Sequence, residues 1–187
     1  MSRMTGRLIG VGVGPGDPEL LTVKALNALK SADVVAYFAK AGNVSNARRI
    51  VEGHLTGAEE LPLLYPITTE IPKEQAAYRD AIAYFYDVSA AAVSSYIDDG
   101  RDVAVLSEGD PLFYGSYMHI HVRLGRRYRT EVIPGVTGMS GCWSSAAAPI
   151  TQGDDVFTVL PGTLPVADLE RRLSDCDAAV VMKIGRH

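Results

Sequence analysis

Three short apolar runs of this chain each break into glycine and proline and then turn into a helix-like pattern, and this repetition restricts the fold more than any other feature. The runs are LIGVGVGPGDPELLT at 8–22, VAVLSEGDPLFYGS at 103–116 and EVIPGVTGMSG at 131–141. Short β-branched runs alternating with longer helical periods predict α/β architecture with a largely parallel sheet. In open sheets of that kind, ligands sit outside the carboxyl ends of the strands. Three glycine loops leaving strands at one edge therefore point to a binding site there.

The remaining pattern agrees. Strands are expected at 7–13, 33–38, 102–107, 131–133, 156–160 and 178–182. A helix over 20–31 carries Leu21, Ala25, Ala28 and Leu29 on one face. A longer one over 73–97 places Tyr78, Ile82, Phe85, Val88, Ala92 and Tyr96 at spacings of three and four, and Gly100 stops it. AAAPITQGDD at 146–155 combines a proline, a glycine and a polarity shift, so the domain boundary is placed there. Residues 1–150 then form an N-terminal α/β domain with the glycine loops, and 151–187 the beginning of a second α/β domain too short to bury a core alone.

Composition excludes several functions. A net charge of −4 argues against a nucleic-acid polyanion as partner. No apolar run approaches the ~18 residues that span a bilayer, and MSRMTGR is no signal-peptide core. A soluble, cytoplasmic protein is expected. Cys142 and Cys176 lie far apart with no C-x-x-C pairing, which indicates neither a zinc site nor a disulfide framework. His119 and His121, two apart on a helix, point to different sides, so no metal site is expected.

The first loop is not a familiar nucleotide fingerprint. Reading G-x-G-x-x-G from Gly10 puts Pro15 at the third glycine, and reading from Gly12 puts Asp17 there. Asp33 falls at the beginning of the second strand, not its end, and no Gly-Lys-Ser or Gly-Lys-Thr follows the loop. What remains is a stiff loop whose main chain a ligand can approach closely at Gly12, Gly14 and Gly16. Asp17 either caps the next helix or faces a ligand, and Asp110 is open to the same two readings.

With GVGVGPGDPELLT, EGDPLFYGS and VIPGVTG in this order, the chain resembles the tetrapyrrole methylase family, S-adenosylmethionine-dependent enzymes whose fold is not the common Rossmann-like methyltransferase fold. ARRIVEGHL at 47–55, ELPLLYPIT at 60–68, TVLPGTLP at 158–165 and VVMKIGRH at 180–187 are similar to the branch that methylates C20 of precorrin-2 in cobalamin biosynthesis. The resemblance implies two α/β domains with the cofactor cleft between them, the second one truncated here, in an enzyme that forms homodimers. It implies donor contacts at Glu108, Gly109, Asp110, Phe113, Thr137 and Gly138, with Pro15 closing the pocket and Ile184 as an apolar contact from the second domain. S-adenosylhomocysteine would be the product.

The implied acceptor is a reduced tetrapyrrole rich in carboxylates. Arg48 and Arg49 are the first candidates to bind them, with Lys40, Lys183 and Arg186 behind. The methylated carbon must lose a proton, and Asp17, Glu108 and Tyr114 are candidate bases beside solvent. Arg126, Arg127 and Arg129 read as a solvated helix end, and Tyr78, Tyr84, Phe85 and Tyr96 as a packed helix face or dimer surface. Rival readings are another member of the family, such as a cobalt-factor or uroporphyrinogen methylase, or a module that binds S-adenosylmethionine without turnover.

Overall fold

Strands that are apolar on both faces must be covered on both, and this decides the layering. The structure, a computed structural model, describes residues 5–55, 57–66 and 75–184. Its elements run β1 Leu8–Gly12, α1 Val23–Ser31, β2 Val34–Lys40, α2 Asn46–Ile50, β3 Glu59–Tyr65, α3 Ala76–Asp98, β4 Val103–Ser107, α4 Tyr117–Leu124 and β5 Thr130–Ile133. They continue with α5 Gly138–Ser145, β6 Phe157–Pro161, α6 Val166–Leu173 and β7 Ala178–Met182. The first five strands form one parallel sheet in the order β3-β2-β4-β1-β5. Leu8, Val34, Val103 and Val105 point to one face and pack with residues of α3 and α4; Ile9, Val11, Val35, Ala104 and Leu106 point to the other and pack with residues of α1 and α2.

Most of this follows the sequence reading, with two differences. The edge strand β3, which holds Pro62, was not among the expected strands. A proline is tolerated at an edge, where its missing N–H breaks no second ladder. The buried stripe of α3 comprises Phe85, Tyr86, Ser89, Ala90, Val93 and Ile97, whereas Val88 is 49% and Tyr84 71% exposed. At roughly 100° per residue, Ser89 stays on the line that Phe85 begins and Val88 leaves it. Lys73, the expected start of this helix, lies outside the described residues. Gly100 ends the helix at φ 84, the left-handed conformation a glycine adopts without strain.

Polar ties lock the amino ends of the five strands. Arg7 grips Asp102 through Nε at 2.9 Å and Nη2 at 2.6 Å, while its backbone N–H donates to the same carboxylate at 2.8 Å. Asp33 accepts from the Asp102 N–H, Arg101 pairs with Glu59, and Lys24 pairs with Glu131. With that edge fixed, the carboxyl ends are the edge left to loops.

The chain divides into two compact units, the second beginning at Met139. In the second unit, β6 and β7 pair in parallel, Trp143 meets Phe157 edge-to-face at 6.2 Å, and Asp177 accepts from the Val156 N–H at 2.8 Å.

Candidate functional site

The loops after β1, β4 and β5 meet main chain to main chain. Val13 donates to the Ser107 carbonyl at 2.9 Å, and Gly109 donates to the Gly14 carbonyl at 2.8 Å, so the first two loops form an extra bridge beyond the ends of their strands. The third loop enters through Gly135. A Cβ on Gly135 would stand 2.1 Å from the Gly109 oxygen, and one on Gly12 would stand 2.5 Å from the Gly135 nitrogen. Only glycines allow such an approach. Gly109 itself adopts φ 63, with the Cα of Thr137 and the nitrogen of Gly138 lying 3.6 Å and 3.4 Å from where its Cβ would be.

Asp110 ties two of these loops together. One carboxylate oxygen accepts from the Leu112 N–H at 2.9 Å, capping the turn that follows; the other accepts from the Gly135 N–H at 3.2 Å. Its cap role is real, and the same side chain clamps the third loop. Asp17 is a cap: its carboxylate accepts from the Glu19 N–H at 2.9 Å and opens the 3-10 turn Pro18–Leu20. Glu108 and Tyr114 are exposed, Phe113 and Pro15 half-buried. Tyr114 holds φ 54, a left-handed conformation that bulky residues avoid.

The expected donor contacts Gly109, Asp110, Thr137 and Gly138 thus come together at one spot of the first unit. Ile184 belongs to the second unit, where it is 58% exposed beyond β7. Open space lies over Gly138, where an added Cβ would meet nothing within 4 Å. The spot offers backbone N–H and C=O groups and glycines without side chains.

The two arginines part company. Arg48 binds Glu60 through Nε at 3.1 Å and Nη2 at 3.0 Å, and Glu52 through Nη1 at 2.6 Å. Glu60 pairs with Val35 near the amino ends of β2 and β3, so Arg48 is held at the edge away from the glycine loops. Its bond holds the Glu60 carboxyl below the usual glutamate range. Arg49 is exposed, and its guanidinium donates to the Asn46 side chain at 3.5 Å. Arg127 meets Asp98 at 3.6 Å and lies over Tyr128, as a solvated helix end does. Arg186 lies outside the described residues.

Beside the loops, the carboxyl ends of β2 and β3 carry an aromatic group that the sequence reading missed. Tyr65 packs on Phe85 at 4.5 Å and Phe38 at 5.8 Å, and its hydroxyl meets those of Tyr86 and Ser116. His119 stacks on Tyr86 at 3.9 Å, and burial pushes its imidazole below the usual histidine value. His121 turns the other way, to the Tyr117 hydroxyl at 3.3 Å.

A model of the Tetrapyrrole (Corrin/Porphyrin) Methylases matches residues 7–187. A precorrin-2 C(20)-methyltransferase of Sinorhizobium sp is 64% identical over 183 residues, covering 97% of this chain and 75% of that protein. A probable cobalt-precorrin-2 C(20)-methyltransferase of Methanocaldococcus jannaschii is 29% identical, covering 98% of this chain and 74% of that one. Among solved structures, the uroporphyrin-III C-methyl transferase of Thermus thermophilus complexed with S-adenosyl homocysteine is similar with TM-score 0.54 at 28% identity, over 86% of this chain and 57% of that one.

Proposed function

Because the chain belongs to the tetrapyrrole methylase family, we propose that it transfers a methyl group from S-adenosylmethionine to C20 of precorrin-2 in cobalamin biosynthesis. The observation that carries this reading is the 64% identity along 97% of the chain, in a molecule whose three glycine loops meet at one point. Identity to the relative named for the cobalt-loaded acceptor is 29%, which favours the metal-free one.

The residues present fit the donor. Its polar groups can be read by the main chain of Gly109 and of 135–138, and Phe113 provides an apolar wall. When bound, S-adenosylmethionine supplies an electrophilic methyl group on a sulfonium. The chain's contribution is position: loops bonded to one another hold two reactants in a near-attack arrangement without a large reorganisation. The Asp110 carboxylate, fixed by two N–H groups, adds negative charge to a loop facing a cation. The proton of the methylated carbon leaves in this reading to the Glu108 carboxylate, exposed on that loop, with solvent and Tyr114 as the alternatives; the Asp17 carboxylate serves the cap. Arg49, not Arg48, is assigned to the acceptor's carboxylates. Tyr84 and Val88, adjacent and exposed on α3, support a homodimer across that helix. Such an enzyme works in the cytoplasm.

Incubation with precorrin-2 and S-adenosylmethionine carrying a carbon-13 methyl tests the proposal. One new methyl signal at C20 is expected. A methyl at another position, or none, refutes it.

A further inference from the structure

Ser116 stands where α4 begins, a place where serine ordinarily accepts a backbone N–H from the first turn. Here it does not: α4 has no side-chain cap, and Ser116 is already helical at φ −66 and ψ −23. Its hydroxyl is turned to that of Tyr65, 51 residues earlier at the end of β3. Tyr65 is itself fixed, its ring between Phe38 and Phe85 and its hydroxyl 3.1 Å from that of Tyr86. Burial pushes the phenol well above its ordinary value, so it stays a neutral hydroxyl that donates and accepts.

The segment just before Ser116 is under constraint. Tyr114 is left-handed at φ 54. Gly115 is pressed against the turn: its Cβ would stand 3.0 Å from the Pro111 oxygen and 3.4 Å from Ser107 Oγ. An uncapped helix start and a left-handed tyrosine persist only where the surroundings over-determine them. A long-range contact at this point is the Tyr65 hydroxyl on Ser116.

We propose that Tyr65 is a positioning residue: through Ser116 it sets the geometry of the EGDP loop and so the affinity for the methyl donor, a role that rests on the function proposed above. The strand at the far edge of the sheet is thereby coupled to the donor loop.

Calorimetry with S-adenosylhomocysteine tests this on four variants. Tyr65→Phe keeps the ring and is expected to weaken binding about tenfold, the worth of one hydrogen bond, while the thermal midpoint stays within a few degrees of wild type. Ser116→Ala is expected to do the same, the double variant no more than either single one, and Ser116→Thr, which keeps the hydroxyl, to bind like wild type. Unchanged affinity in Tyr65→Phe, or additive losses in the double variant, overturns the proposal. Amide hydrogen exchange over 108–116 in the unliganded protein reads the coupling without a ligand: acceleration in Tyr65→Phe is expected, and identical exchange overturns it. A wild-type chain that binds no S-adenosylhomocysteine refutes the proposed function instead, while the exchange comparison still decides whether Tyr65 holds the loop.

Discussion

Replacing Gly135 by alanine forces apart the two backbones on which the site depends. The new Cβ would stand 2.1 Å from the Gly109 oxygen and 2.9 Å from both Cα and the carbonyl carbon of Gly12, against an ordinary separation of roughly 3.5 Å. No flexible side-chain end lies among these neighbours, so main chain must move by about 1 Å, and overpacking of this kind costs about 1–3 kcal/mol. The same shift strains the Gly135 N–H bond to Asp110, at 3.2 Å, and a bond to a charged group is worth about 1.5–3 kcal/mol. Together the loss is roughly 2.5–6 kcal/mol, and for a chain of this size the thermal midpoint falls by roughly 5–24 °C. Calorimetry below the transition is expected to show S-adenosylhomocysteine binding weakened more than about tenfold. Gly138→Ala is the control: its Cβ meets nothing within 4 Å, so stability changes by less than about 0.5 kcal/mol. A Gly135→Ala protein that melts and binds like wild type refutes the convergence of the loops.

Asp110→Asn leaves one acceptor where two N–H groups need one each, setting an amide N–H against that of Leu112 or Gly135; a loss of about 1–3 kcal/mol in urea unfolding is expected, together with weaker S-adenosylhomocysteine binding. Asp102→Ala removes the bidentate partner of Arg7 and the acceptor of its N–H, and should cost about 2–4 kcal/mol while leaving S-adenosylhomocysteine affinity near wild type, since it acts at the opposite edge. Acid should unfold the protein through its paired glutamates: Arg48 holds Glu60 below 4.5, Tyr96 and then Arg101 hold Glu59 below it, and Lys24 does so for Glu131. A depressed folded value gives stability that is present above the unfolded value and lost as pH falls through the folded one, so the urea midpoint should drop below pH 4.5, and Glu60→Gln should lower it at neutral pH while flattening that drop.

What could be read from the sequence was whatever local chemistry decides. The glycine loops declared themselves because each follows a β-branched run, and the parallel sheet follows from the same alternation. The Asp17 cap was one of two open readings, and the Glu19 N–H resolves it. The misses are tertiary. β3 holds Pro62 and is a strand only because β2 offers an edge beside it. Without β3 there was no place for Glu60, so Arg48 read as available for a substrate carboxylate while its partner lay 12 residues away. The Tyr65–Ser116 contact, between hydroxyls 51 residues apart, has no signature in either stretch of sequence. Val88 fitted the spacing and still faces outward, because the register of α3 is set by what it packs against.

The most direct test of the shared grip is a titration of the nitrogen-15-labelled protein with S-adenosylhomocysteine, following backbone amide signals. The account predicts that the amides of Gly109, Asp110, Gly135, Thr137 and Gly138 shift together and saturate at one concentration. Shifts confined to a single loop, or gathered at the opposite edge around Arg7, Lys24 and Glu131, would contradict it.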